Sequence, residues 1–400
     1  MGRFLHRTIT GFLLAAGHLL PGQGDSTPLI ALREVQNCDG CHNGGRSQQP
    51  VLWRRCTLDC QGCHTDPAGA GPRSEWGYYY ANDQMAMVNF FKPEDPLKNQ
   101  GFFSVHYDGR LTVLKQDGGN QQTFPMSSEL TMRVKPLTRW LHFSYSALLL
   151  GRPEDMSFRI VNEGDRRFRE RWSVMVDALP MNTYVRAYRG QPMYGLRRPN
   201  HTLWIRERIG LGPFATTEAV EAGGTPNVPY WRVSSMSGDP YIAASRRQKG
   251  STWHGGFRGV TLGWHINGSG WNTSSDTHNI TMNAVGIGGN AFGLILYGER
   301  NWRDVEVLAE ATDVSPFDPS RVHPSSSISE YTIAWGGFTG IMFGLIQEEM
   351  LTAAGESKRQ NLFVDLHPVP ILQLELWKRE ESGVRRVSDT LAILHLLADF

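Results

Sequence analysis

From about residue 77 to the end, large apolar residues recur at every second position along much of the chain. In 331–345 (YTIAWGGFTGIMFGL) one face reads Tyr331, Ile333, Trp335, Gly337, Thr339, Ile341, Phe343 and Leu345. The other reads Thr332, Ala334, Gly336, Phe338, Gly340, Met342 and Gly344. A period of two marks a strand with two unlike faces. Val260, Leu262, Trp264 and Ile266 alternate in the same way with Thr261, Gly263 and His265, and Leu130, Met132 and Val134 with Thr131, Arg133 and Lys135. Leu137, Leu141, Phe143 and Tyr145 oppose Thr138, His142 and Ser144, and Leu372, Leu374 and Leu376 alternate with Gln373 and Glu375. The final run sets Ala392, Leu394, Leu396, Ala398 and Phe400 against His395 and Asp399, with Leu391, Ile393 and Leu397 as apolar intrusions on the second face. Read as one strand, 331–345 is long for a globular protein and long enough to cross a bilayer at a tilt. Lipid offers no partner to an open sheet edge, so such strands must close on themselves. At about 20 residues per strand and connection, 77–400 predicts an all-β, antiparallel transmembrane barrel of roughly 16 strands.

Two stretches break the rhythm. In 179–210 a strand (183–188) leads through a Pro/Gly turn into a basic segment, whose Arg197, Arg198, Arg206 and Arg208 read equally as lumen residues or as paired loop charges. Residues 213–252 are rich in Gly, Pro, Ser and Thr and read as a long surface loop or partial plug.

Composition agrees with a barrel and removes several other classes. No apolar run reaches the length of a membrane-spanning helix. Lys plus Arg total 40 and Asp plus Glu 39, so no charge excess invites nucleic acid. The cluster Arg166, Arg167, Arg169 and Arg171 reads as a solvated face. No Ser-His-Asp order, P-loop, GxGxxG helix or HExxH is present, and the Asn-x-Ser/Thr sequons at Asn200, Asn267, Asn272 and Asn279 read as chance. The N-terminus has the form of an export signal over 1–24: Arg3, His6 and Arg7, then an apolar core at 9–20, then a turn-prone exit ending at Gly24.

All five cysteines, Cys38, Cys41, Cys56, Cys60 and Cys63, lie within residues 38–63. A disulfide framework would spread its cysteines to staple distant segments; these are bunched in close pairs. The 18 residues between Cys41 and Cys60 fit a four-cysteine zinc site. However, each pair also runs directly into histidine, as CDGCH and CQGCH. With 13 histidines in 400 residues, chance would place one after both pairs about 0.1% of the time. Two thiols two residues apart reach the two vinyl groups of one porphyrin, and the following His ligates its iron. Export favours the same reading. The expectation is therefore two covalent c-type haems, held by thioethers from Cys38, Cys41, Cys60 and Cys63, with His42 and His64 as proximal ligands. Cys56 has no assigned role. For the sixth iron position, Met85 and Met87 are the nearest candidates in sequence, then His106 and His142.

After the second motif come Pro67, Gly69-Ala70-Gly71, Arg73 and Trp76-Gly77. This resembles the bacterial outer-membrane proteins in which a short c-type cytochrome is fused to a porin-like barrel. Tyr194-Gly195-Leu196-Arg197 and Asn200-His201-Thr202 match a segment that recurs in that group, and a terminal aromatic such as Phe400 is typical of its last strand. Ala70 stands in place of a glycine, and two haem motifs replace the usual one. The resemblance implies a dihaem segment over 25–76 and a barrel over 77–400 in the outer membrane of a Gram-negative bacterium. It also implies electron transfer between periplasmic carriers and an extracellular donor or acceptor, with ferrous iron oxidation or metal reduction as the chemistry on offer rather than conventional enzymatic catalysis. The alternative is a soluble exported dihaem cytochrome with an all-β domain, built from short strands around a buried apolar core.

Overall fold

The computed structural model describes residues 86–88, 103–134, 140–150, 168–195, 203–211, 215–224, 229–258, 264–291, 293–308, 324–384 and 386–399. The expected signal, both CxxCH motifs, Cys56, Met85 and Phe400 lie outside them. Sixteen antiparallel strands form one closed barrel in which each strand pairs with its sequence neighbours and the first pairs with the last. They are β1 (Phe103–Gln116), β2 (Gln121–Val134), β3 (Leu141–Leu150), β4 (Phe168–Leu179), β5 (Thr183–Gly190), β6 (Thr217–Gly224), β7 (Pro229–Gly238) and β8 (Lys249–Arg258). Then follow β9 (His265–Ser274), β10 (His278–Ala291), β11 (Leu294–Val307), β12 (Ser326–Phe338), β13 (Ile341–Thr352), β14 (Gly355–Val369), β15 (Leu372–Gly383) and β16 (Val387–Asp399). The expected strand number is met.

Alternation sorts the side chains. Val220, Trp231, Val233, Trp253, Val285, Ile287, Ile333, Leu362 and Leu394 point outward and stand exposed, Ile287 by 65%. The inward set on these and the neighbouring strands is buried and includes many polar residues, among them Arg232, Asn267, Glu299, Glu330, Glu348, Asn361 and Glu375. An apolar exterior over a polar interior inverts the soluble plan and is what hydrocarbon demands. Strand lengths of 8 to 15 residues and this exterior both depart from the short-strand soluble alternative.

The two ends differ. Phe103 and Asp399 mark one, here the terminal end. The strands are joined there by the brief connections 135–140, 180–182, 225–228, 259–264, 292–293, 339–340 and 370–371. At the far end the connections 151–167, 191–216, 239–248 and 308–325 are longer. Phe103, Trp140, Phe257, Trp264 and Phe338 form an exposed outer ring of aromatics near the terminal end, where an interfacial girdle belongs. Toward the far end the outer face turns polar, as at Arg300 and Lys358.

Two readings of the sequence need correction. The run 331–345 is not one strand. It is the end of β12 and the start of β13, joined at Thr339 and Gly340, where Gly340 has φ +70. A bulge between Trp335 and Phe338 resets the facing, and Phe338 ends up outside. Nor is 213–252 a loop or plug: it holds β6, β7 and the start of β8. Small and polar outward residues, such as Glu218, Ala222, Ser235 and Ser237, gave the alternation too little contrast to be seen.

Candidate functional site

The segment that enters the lumen is the connection before β6. Within 191–216 the described parts are 191–195, 203–211 and 215–216, including a single helical turn, α1 (Trp204–Glu207). Trp204 is fully buried, and Leu203, Ile205, Ile209 and Leu211 nearly so. The segment is tied along one side of the wall and then across to the opposite one. Thr252 Oγ1 of β8 donates to Met193 O at 3.1 Å, and Gly195 N donates to Ser269 Oγ of β9 at 2.8 Å. Arg206 pairs with Glu299 of β11 at 3.5 Å, and Arg303 of β11 donates to Ile209 O. Ile205 N donates to Glu348 Oε1 of β13 at 3.2 Å, and the Arg359 guanidinium of β14 lies 4.6 Å over the Trp204 ring. Rooted between β5 and β6, the segment therefore reaches β13 and β14, eight strands round a sixteen-strand ring, which is the full diameter.

Around it the inward face turns apolar. Phe124, Met126, Ile280, Met282, Ile295, Ile328, Ile346, Phe363, Trp377, Leu391 and Ile393 join Trp204 and Ile205 in one continuous cluster. The intrusions at Leu391 and Ile393 are thereby explained: they belong to the core around this cross-piece. Leu397 stays only half-buried. Arg206 fulfils the lumen reading, Arg208 remains partly exposed beside Glu207, and Arg197 and Arg198 lie outside the described residues. The solvated-face reading of the basic cluster fails for Arg169 and Arg171. Arg169 is fully buried with its guanidinium 4.6 Å from the Tyr241 ring, and Arg171 pairs with Glu129 at 3.4 Å. Asn267 is buried on the inner wall, which agrees with reading its sequon as chance.

Buried charges elsewhere on the wall are matched. Glu221 accepts from Arg186 Nε at 2.9 Å, from the Tyr184 hydroxyl at 2.6 Å and from Ser234 at 2.8 Å. Asp108 pairs with Arg110 at 2.9 Å. Such groups are retained in a low-dielectric wall only when paired.

Between the cross-piece and the terminal end the inner wall is lined with histidine. His106, His142, His254, His265, His367 and His395 all face inward in the terminal half of their strands. Two are backed by carboxylates: His395 Nε2 lies 3.1 Å from Glu375 Oε1, and His367 Nε2 lies 3.3 Å from Asp365 Oδ1. Gln373 bridges the pairs, donating to Asp365 at 3.0 Å and toward Glu375 at 3.4 Å. Across the lumen Tyr230 stacks on His265 and bonds its Nε2, while His254 Nδ1 lies 2.8 Å from Ser269 Oγ. The alternation showed His265 and His395 on the polar face but not that the histidines gather at one height. Among the described residues, no cluster of three or more His, Cys, Asp or Glu is arranged to hold a metal ion by itself.

Residues 86–88 dock on this end of the barrel. Met87 N donates to His367 O at 2.9 Å and Val88 N to Pro368 O at 3.1 Å, beside the Gly340 turn. Ala86 is buried there, while Met87 is 40% exposed, so Met87 is a rim residue rather than a core one.

No protein-family model matches the chain, and no curated protein does. Solved structures match its barrel. OprB of Pseudomonas putida superposes with a TM-score of 0.54 at 9% identity, over 74% of this chain and 94% of that one. OmpF of Salmonella typhi, in complex with daunomycin, gives 0.53 at 8% identity, over 74% and 97%. In-vitro folded OmpT, an outer membrane protein of Vibrio cholerae, gives 0.50 at 9%, over 75% and 99%. The class is thus settled at the level of fold: a porin-like, sixteen-stranded outer-membrane β-barrel.

Proposed function

We propose that this chain is an outer-membrane dihaem cytochrome–porin that conducts electrons between periplasmic carriers and an extracellular donor or acceptor. The observation that carries the reading is the cross-piece. A barrel whose lumen is spanned by Trp204, Ile205 and their apolar neighbours is poorly suited to passing solutes and well suited to insulating a cofactor. Short connections at the terminal end and long ones at the far end match periplasmic and extracellular sides. The vestibule below the cross-piece then faces the periplasm, and residues 86–88 dock on its rim.

Cys38, Cys41, Cys60 and Cys63 would hold two haems by thioethers, with His42 and His64 on the irons; bound haem supplies one-electron chemistry that the barrel residues lack. The donor set of the vestibule, imidazoles backed by carboxylates, suits such a group. The barrel's part is to exclude water and fix the cofactors' distance from either side of the lipid. A pyridine-haemochrome spectrum of the mature protein purified from outer membranes tests this. Two haems per chain are expected; a colourless, correctly folded barrel would defeat the proposal.

A further inference from the structure

On the outside of the barrel, toward the far end of β10 to β13, a groove of about 400 Å3 opens in the wall. Asn283, Trp302, Ser327 and Leu351 pair across these four strands and lie in one outward row. Ser327 is the small member between two large ones, so the surface dips between the Trp302 ring and the Leu351 side chain. Thr281 and Asp304, paired in the next row, line the groove on its far side.

Its height can be read along β11. Leu294, at the short-turn end, and Trp302, eight residues on, share the outward face. Eight residues of strand span about 27 Å, and a tilt of about 40° leaves about 20 Å of height, close to the ~25 Å of an apolar band. The groove therefore stands at the outer edge of that band, above the exposed Val285, Leu296 and Ile333. A girdle tryptophan needs only an interface. Here the ring is one wall of a cavity, and an arginine is held beside it. Arg300 Nε donates to Ser327 Oγ at 3.3 Å, and its guanidinium lies 5.3 Å from the centre of the Trp302 ring. Among the described residues no carboxylate pairs with Arg300. It approaches from the lipid side of Trp302, whereas Asp304 lies on the solvent side, with Ser325 Oγ donating to its Oδ1 at 3.3 Å.

This chemistry fits one kind of occupant. The C–H face of a sugar ring packs on the face of an aromatic ring. Sugar hydroxyls need both donors and acceptors, which Asn283, Thr281, Ser327 and Asp304 supply. A guanidinium is a fitting seat for a phosphate ester. An acyl chain in the groove would cover these polar groups without satisfying them. We infer that the groove binds the phosphorylated saccharide headgroup of the glycolipid in the outward-facing leaflet, with Trp302 stacked on a sugar ring and Arg300 on its phosphate. The inference rests on the membrane orientation of the preceding subsection and does not depend on haem.

The test titrates full-length mature protein in detergent, by calorimetry, with a glucosamine disaccharide that carries two phosphates and no acyl chains. Saturable binding is expected. Trp302→Ala and Arg300→Gln should each weaken it about tenfold. Both side chains stand outside the barrel, so each variant should keep the heat-dependent electrophoretic mobility of the folded barrel. Ser327→Trp, which fills the groove while sparing the ring and the charge, should abolish binding. The same disaccharide without phosphates should bind the native and Arg300→Gln proteins alike. Full displacement by inorganic phosphate or glycerol 3-phosphate would reduce the groove to a phosphate contact and overturn the inference. So would undiminished affinity in all three variants, or no binding to the native protein. A colourless barrel that binds the disaccharide would remove the electron-conduit reading alone, and a haem-bearing barrel that does not bind it would remove this inference alone.

Discussion

At Glu348 one carboxylate serves three partners. Oε1 accepts from Ile205 N at 3.2 Å, and Oε2 accepts from Arg359 Nε at 2.9 Å and Asn361 Nδ2 at 3.0 Å. The residue is fully buried. Removing it strands the Arg359 guanidinium without a counter-charge and frees the cross-piece at its far anchor. Losing one partner of such a pair costs about 3–5 kcal/mol. Glu348→Ala should therefore lower the urea midpoint of the detergent-folded barrel by that equivalent, and Glu348→Gln, which keeps an acceptor for Ile205 N, by less. Equal midpoints for all three proteins would show that the pair adds nothing. Gly195 is constrained from the same cross-piece. Its φ is +58, and a Cβ there would lie 2.4 Å from Glu299 Oε1 and 2.9 Å from the Arg206 guanidinium nitrogens. The sequence marked Tyr194-Gly195 only by resemblance. The ion pair it must clear joins residues nearly a hundred positions apart, a separation no local pattern encodes.

The cross-piece as an element carries a second prediction. Porin-like barrels conduct ions through an open lumen, but here residues 203–211 sit in an apolar cluster that reaches both walls. Replacing 203–211 with a Gly/Ser linker of equal length should raise single-channel conductance in planar bilayers several-fold. Unchanged conductance would mean that the barrier lies elsewhere. How far each element could be read from sequence follows from face contrast. β2, β15 and β16 set Met132, Leu376 and Leu394 against Arg133, Glu375 and His395 and announce themselves. β6 and β7 carry Glu218, Ala222, Ser235 and Ser237 on the same outward face as Val220 and Val233, so the same geometry looked like a loop. The β12–β13 turn was missed for the opposite reason. The two-residue hairpin puts Phe338 and Ile341 on one face and so inverts the parity of a period-two pattern, but the bulge between Trp335 and Phe338 inverts it again, and the alternation runs on as if unbroken past the positive φ of Gly340. The cross-piece stayed hidden because its apolar residues (Leu203, Trp204, Ile205, Ile209 and Leu211) are interleaved with the arginines that first drew notice.

Closure and strand number are properties of the whole chain, and they were legible because they follow from a total. Some 320 residues of alternating pattern, divided by the length of a strand and its connection, give sixteen. Which end faces the cell surface is not set by any one strand; it follows from the asymmetry of connections summed over the ring. The terminal end joins its strands by turns as brief as 292–293, 339–340 and 370–371, whereas the far end carries 151–167 and 308–325. Outer-membrane barrels keep short turns on the periplasmic side and longer loops on the extracellular side. The outer aromatic ring at Phe103, Trp140, Phe257, Trp264 and Phe338 fixes the lower lipid boundary near the terminal end, and the polar outer face around Arg300 and Lys358 stands clear of the hydrocarbon. An epitope inserted within 308–325 should therefore be labelled by antibody on intact cells, while one placed at 370–371 should be labelled only after the outer membrane is permeabilised. Labelling of the second site on intact cells would turn the barrel over. The histidine-lined vestibule would then open outward, and residues 86–88, docked on its rim, would have to lie outside the cell. The insertion experiment therefore tests the orientation of the barrel and the side on which residues 86–88 dock together.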